Sequence, residues 1–150
     1  MRLFISVEAQ HAFESGLSEI LREVTESIKS INDDSLNSEF KYGKEFISIS
    51  IIPSCMDEIY WTALGWKERK LINRKKGEAE IRIRMDYDRF VRESTTNKRL
   101  IFIKTIVESI KIIEEKSKSD FNGEKLINDI LRLLNVSINE LINLDVSYVK

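Results

Sequence analysis

Leu3, Ile5 and Val7 alternate with Arg2, Phe4 and Ser6. That is the period of a strand with one apolar face. Phe13, Leu17, Ile20, Leu21, Val24, Ile28 and Ile31 then recur at spacings of three and four, with Glu14, Glu19, Arg22, Glu23, Glu26 and Lys29 opposite them. The pattern predicts an amphipathic helix over residues 9–31, closed by the polar run Asn32-Asp33-Asp34-Ser35. A second strand, or two short ones broken at Gly43, is expected over Phe40–Ile52, with Ile47, Ile49 and Ile51 on one face and Ser48 and Ser50 on the other. Pro53, with no N–H for a ladder, stops it.

Residues 53–78 have no long period; Asp57–Leu64 suits a helical turn and the remainder reads as loop. Glu78–Asp86 is the cleanest strand. Ala79, Ile81, Ile83 and Met85 alternate with Glu80, Arg82, Arg84 and Asp86, which demands one dry face and one wet face. Ile103, Ile106, Val107, Ile110 and Ile113 give a helix over Lys98–Lys116. Asn122-Gly123 marks a turn, and Leu126, Ile130, Leu133 and Leu134 make a shorter helix. In residues 136–150, a peripheral tail, Ile138, Leu141 and Ile142 allow one more helical turn. The order strand, helix, strand, strand, helix, helix predicts an α+β fold: a three- to four-stranded, mostly antiparallel sheet with helices packed on one face. The wet sheet face then presents Phe4, Phe46, Ser48, Ser50, Arg82 and Arg84, and two phenylalanines there form an apolar patch of the kind that marks interaction sites. The alternative is that the tail folds over that face.

At 150 residues one domain is expected, spanning 1–150. Such a domain buries roughly 70% of the surface of its unfolded chain, enough for a core without staples. With 24 basic and 25 acidic residues the net charge is −1, which argues against a dedicated nucleic-acid binder and leaves electrostatic recognition to local patches. One cysteine, Cys55, excludes an internal disulfide and suits a reducing compartment. The apolar start is too short for a signal peptide and no run is long enough to span a membrane, so a cytoplasmic location is expected.

Chemistry is sparse. His11, the single histidine, and Cys55 form a nucleophile–base pair in name only, since nothing around Cys55 supplies an orienting group or an oxyanion site. Neither zinc spacing, an EF-hand loop nor a glycine-rich phosphate loop is present. The carboxylate pairs Asp33-Asp34, Glu114-Glu115, and Asp86 with Asp88, are the number chance supplies among 25 acids. The expectation is therefore no catalytic residue, no metal and no cofactor. The strongest charge feature is Lys67–Lys76, which includes Lys67, Arg69 and Lys70, with Tyr60, Trp61 and Trp66 upstream. It reads as a solvated loop, as a protein contact with aromatic anchors, or as a small nucleic-acid-binding module in which the tryptophans stack bases.

These residues carry a resemblance. Met1-Arg2-Leu3-Phe4-Ile5-Ser6-Val7-Glu8, then Ile51-Ile52-Pro53, Glu68-Arg69-Lys70, Glu80–Phe90, the helix Ile103–Ile113 and the closing Phe121–Leu134 resemble a group of bacterial immunity proteins from polymorphic toxin and contact-dependent growth inhibition systems. The resemblance covers residues 1–134. Residues 135–150 lie outside it, and Tyr60–Trp66 is longer than the pattern. It implies a cofactor-free cytoplasmic antidote that binds a cognate toxin domain, often a nuclease, by direct contact. It also implies a tight, electrostatically complementary interface. Because the chain is not acidic overall, a local patch would have to serve: Asp33, Asp34 and Glu39, or the helix face with Glu19, Glu23 and Glu26. Tyr60, Trp61, Trp66, Lys67, Arg69, Lys70, Glu80, Arg82, Arg84, Asp33 and Asp34 are the candidate partner contacts. The oligomeric state is left open, with a monomer as the default; nucleic acid is the lesser alternative partner and no membrane is expected.

Overall fold

Period-two alternation becomes a four-stranded sheet. A computed structural model of the chain describes residues 1–7, 16–32, 41–53, 70–72, 77–85, 90–117 and 121–144. The strands are β1 (Arg2–Val7), β2 (Phe46–Pro53), β3 (Lys70–Ile72) and β4 (Glu78–Met85), in the order β1-β2-β4-β3. The helices are α1 (Leu17–Ser27), α2 (Lys29–Asn32), α3 (Thr95–Lys116), α4 (Gly123–Leu134) and α5 (Ile138–Ile142). The α+β class holds. The expected mostly antiparallel sheet does not: β1, β2 and β4 run parallel, and only β3 pairs antiparallel, with β4. The passage through α1 and α2 returns the chain to the end where β1 began, so β2 starts beside Arg2; a short hairpin would have reversed it.

The dry rows of the sheet are Leu3–Ile47–Ala79, Ile5–Ile49–Ile81 and Val7–Ile51–Ile83. All but Val7 are buried. α1 packs on β1, and α3 packs on β4, α4 and α5, so the described helices lie on this face. Helix α3 is buried nearly all round, which is why its hydroxyls turn inward: Thr105 Oγ1 donates to Ile101 O at 2.8 Å and Ser109 Oγ to Thr105 O at 2.7 Å.

Several boundaries differ from the periodicity. The first helix begins, among the described residues, at Leu17 and breaks at Ile28, where α2 takes over. The second strand starts only at Phe46, because Lys41–Glu45 forms a turn. Lys70–Ile72, expected as loop, is a short edge strand whose three residues were too few to show a period. Helix α3 starts three residues early, capped by the Ser94 hydroxyl, which accepts from Asn97 N–H at 3.1 Å. Asn122-Gly123 is not a free turn but the start of α4: Asn122 Oδ1 accepts from Lys125 N–H at 3.0 Å, and the Glu114 carboxylate from Glu124 N–H at 2.7 Å. Any Cβ at Gly123 would collide with Glu114, so glycine is what lets that carboxylate cap the helix. Val136 and Leu141 are buried, and α5 packs on α3 on the helical side, not on the polar sheet face.

Candidate functional site

The parallel register builds the opposite face row by row: Arg2–Phe46–Glu78, then Phe4–Ser48–Glu80, then Ser6–Ser50–Arg82. Ser6 Oγ donates to Ser50 Oγ at 3.2 Å. Arg82 Nε lies 3.1 Å from Glu80 Oε1, with the two side chains 14% and 13% exposed. These charges answer each other and are largely screened from solvent. Toward β1 the face opens: Phe4, 56% exposed, is the one exposed aromatic among the described residues.

Below this face, at the amino ends of the three parallel strands, lies a cleft of about 880 Å³ lined by Met1, Arg2, Asn32, Lys41–Phe46 and Glu78. Its floor is a fixed turn. Glu45 O accepts from Arg2 N–H at 2.8 Å, and Gly77 O accepts from the N–H groups of Glu45 and Phe46 at 2.8 and 3.2 Å. Gly77 makes that approach at φ 89°, a left-handed value that glycine adopts without strain. Tyr42 is buried; its hydroxyl donates to Asp129 Oδ2 at 2.8 Å, and its carbonyl accepts from Asn122 N–H at 2.8 Å. Lys125 Nζ sits 4.7 Å from the Tyr42 ring centroid and 3.2 Å from Asp129 Oδ2. A second cleft of about 620 Å³, bounded by Glu114, Phe121 and Asn122, flanks the same turn.

The first cleft mixes Arg2, Lys41 and Lys44 with Glu45 and Glu78. It holds neither a histidine nor a cysteine. Among the described residues no group of three or more His, Cys, Asp or Glu is placed to hold a metal. Mixed charges around a rigid turn, beside an exposed phenylalanine, suit contact with a protein surface.

Of the sequence-predicted contacts, Glu80 and Arg82 come together on β4. Arg84 lies on β4 opposite Ile52 in register, and Lys70 on β3 opposite Arg82. The basic run is thus interrupted by a strand and is not one continuous loop. Asp33, Asp34, Tyr60, Trp61, Trp66, Lys67 and Arg69 lie outside the described residues, as do His11, Glu39, Cys55, Asp86 and Asp88. Within the acidic face of α1, Glu23 is tied to Arg99 at 2.7 Å, while Glu19 and Glu26 are exposed. Glu114, one of the paired acids, is the cap of α4. Arg2, Lys41, Lys44 and Glu45 are lining residues that spacing missed. The signal available was Gly43 inside an apparent strand, a mark of close backbone approach or a turn.

No helix among the described residues is long and apolar enough to cross a membrane. No curated protein and no solved structure matches the chain. A family model described as immunity protein 44 matches residues 1–136, nine-tenths of the length and both halves of the sheet. The chain therefore belongs to the immunity protein 44 family, within the immunity proteins of polymorphic toxin systems.

Proposed function

We propose that this chain is a cytoplasmic antidote that binds a cognate toxin domain and holds it inactive by direct contact, with no cofactor and no catalysis of its own. Membership of the immunity protein 44 family is the observation that carries the reading. The polar sheet face supplies the contact surface: Phe4 is the anchor, and Arg2, Phe46 and Glu78 lead into the cleft beneath it. Glu80 and Arg82 neutralise each other on that face and contribute hydrogen bonds and shape more than net charge. Charges of both signs around the cleft favour a toxin surface that is itself mixed over a uniformly basic one plugged by acid. Tyr60, Trp61, Trp66, Lys67, Arg69, Lys70, Arg84, Asp33 and Asp34 are proposed as further contacts. A nuclease domain delivered by a neighbouring cell is the toxin class envisaged.

The test is co-expression with the toxin domain encoded beside the chain's gene. Growth rescue and co-purification of the two chains are expected. A toxin that kills regardless, and that elutes separately, would exclude the reading.

A further inference from the structure

The turn Lys41–Glu45 is a ridge between the two clefts, since Lys41, Tyr42 and Gly43 line both. Its hold on the molecule runs through Tyr42. The hydroxyl of this buried side chain donates to Asp129 on α4, its carbonyl accepts from Asn122 N–H, and Lys125 covers its ring. Beside it, Lys44 Nζ lies 6.0 Å from the Phe121 ring centroid. Asp129 is kept in place by Lys125 and Arg132, one helical turn to either side. Another part of the larger cleft's wall, Asn32, is pinned as well: Leu3 N–H donates to Asn32 Oδ1 at 2.7 Å, and Asn32 Nδ2 donates to Leu3 O at 3.2 Å. A ridge with no helix or strand of its own is thus fixed by a side chain 87 positions away.

The charges around this ridge differ from those elsewhere. Glu80 with Arg82, Glu23 with Arg99, and Asp129 with Lys125 and Arg132 answer each other inside the chain. Arg2, Lys41, Lys44, Glu45 and Glu78 line one cleft, yet among the described residues none of the five enters an ion pair. Arg2, Lys41 and Glu45 are exposed. Such groups stay open to a partner, and a ridge held rigid beforehand brings them to it without the entropy cost of ordering a loop. We infer that Tyr42 is a positioning residue for toxin recognition. Through its hydrogen bond to Asp129 it holds the Lys41–Glu45 ridge in the shape that docks on a mixed-charge surface of the toxin domain, while its own side chain stays buried. The inference rests on inhibition by direct contact.

Tyr42→Phe keeps the ring and deletes the bond to Asp129. Two measurements on the full chain read the effect: amide hydrogen exchange at Glu45 and Phe46, whose N–H groups bond Gly77 O, and affinity for the toxin domain encoded beside the chain's gene. In the variant those amides exchange faster, and the toxin binds roughly tenfold more weakly. Asp129→Ala cuts the same bond from the other side, and the double variant binds no more weakly than Asp129→Ala alone. Ile49→Val, which costs a comparable amount of stability away from the ridge, keeps the parent's affinity. A similar loss of affinity in Ile49→Val assigns the effect to stability and overturns the inference. Tyr42→Phe and Asp129→Ala chains that bind as tightly as the parent overturn it while leaving the antidote reading in place, as do Glu45 and Phe46 amides that exchange no faster than in the parent. Absence of any wild-type complex defeats the antidote reading itself, and the inference with it.

Discussion

Lys104 is a cation inside the helical layer. Only 8% of it is exposed, yet its ammonium is well partnered. Nζ donates to Leu141 O at 2.6 Å and to Leu144 O at 3.0 Å. Leu141 lies in the last turn of α5 and Leu144 just past it, at the end where the helix dipole favours a cation. Its four-carbon stem packs as an apolar side chain. Lys104→Met keeps the stem and removes the donor, leaving Leu144 O to find another partner while Leu141 O keeps the Leu144 N–H. A loss of about 1–3 kcal/mol in urea unfolding is expected; an unchanged midpoint would mean the ammonium is dispensable. Arg99 makes a related link, bonding Glu23 of α1 at 2.7 Å and Leu134 O at the end of α4 at 3.0 Å. Neither role is visible in the sequence, where Lys104 and Arg99 are two more charges in a helical run. Which carbonyl a long side chain reaches depends on helices remote in the chain.

At the scale of elements, β1 shows how an edge is finished by a residue 29 positions away. In sequence Asn32 reads as part of a helix-ending polar loop; in the fold it closes α2 and mimics a strand at once. Asn32→Ala deletes a paired donor and acceptor from Leu3. The variant should unfold about 1–3 kcal/mol more easily, and the Leu3 amide should exchange faster than in the parent chain. Slow exchange at Leu3 in the variant would show that something other than Asn32 guards it. The strands themselves were legible wherever alternation ran for six or more residues, as in β1 and β4. β3 was not, because three residues cannot establish a period. The start of α3 was missed because Thr95 and Thr96 are poor helix formers and the signal lay in the Ser94 cap.

For the whole molecule, the core lies on one face of the sheet, and the contact surface proposed above lies on the other. Ile49, on the central strand, is wholly buried on the dry face, while Phe4 stands exposed on the other. Ile49→Ala is expected to cost about 2–5 kcal/mol and to reduce toxin protection only through loss of folded chain. Phe4→Ala should leave stability within about 0.5 kcal/mol and weaken the complex, an effect of more than about 1 kcal/mol if Phe4 is an anchor. Urea titration and toxin-binding measurements on the two variants separate these outcomes. If Phe4→Ala binds as tightly as the parent, the β1 side of the polar face is not the contact.

Alternation by itself determined which residues of β1, β2 and β4 share a face, since period two follows from strand geometry alone. Composition excluded an internal disulfide, since the chain has one cysteine. Direction, order and register came only with the tertiary structure. A strand reads the same whether its neighbour runs with it or against it, so the mostly antiparallel expectation had no local signal to correct it. The path of the chain through α1 and α2 decided that β1 and β2 run parallel. That decision put Arg2, Phe46 and Glu78 in one row at the lip of a cleft.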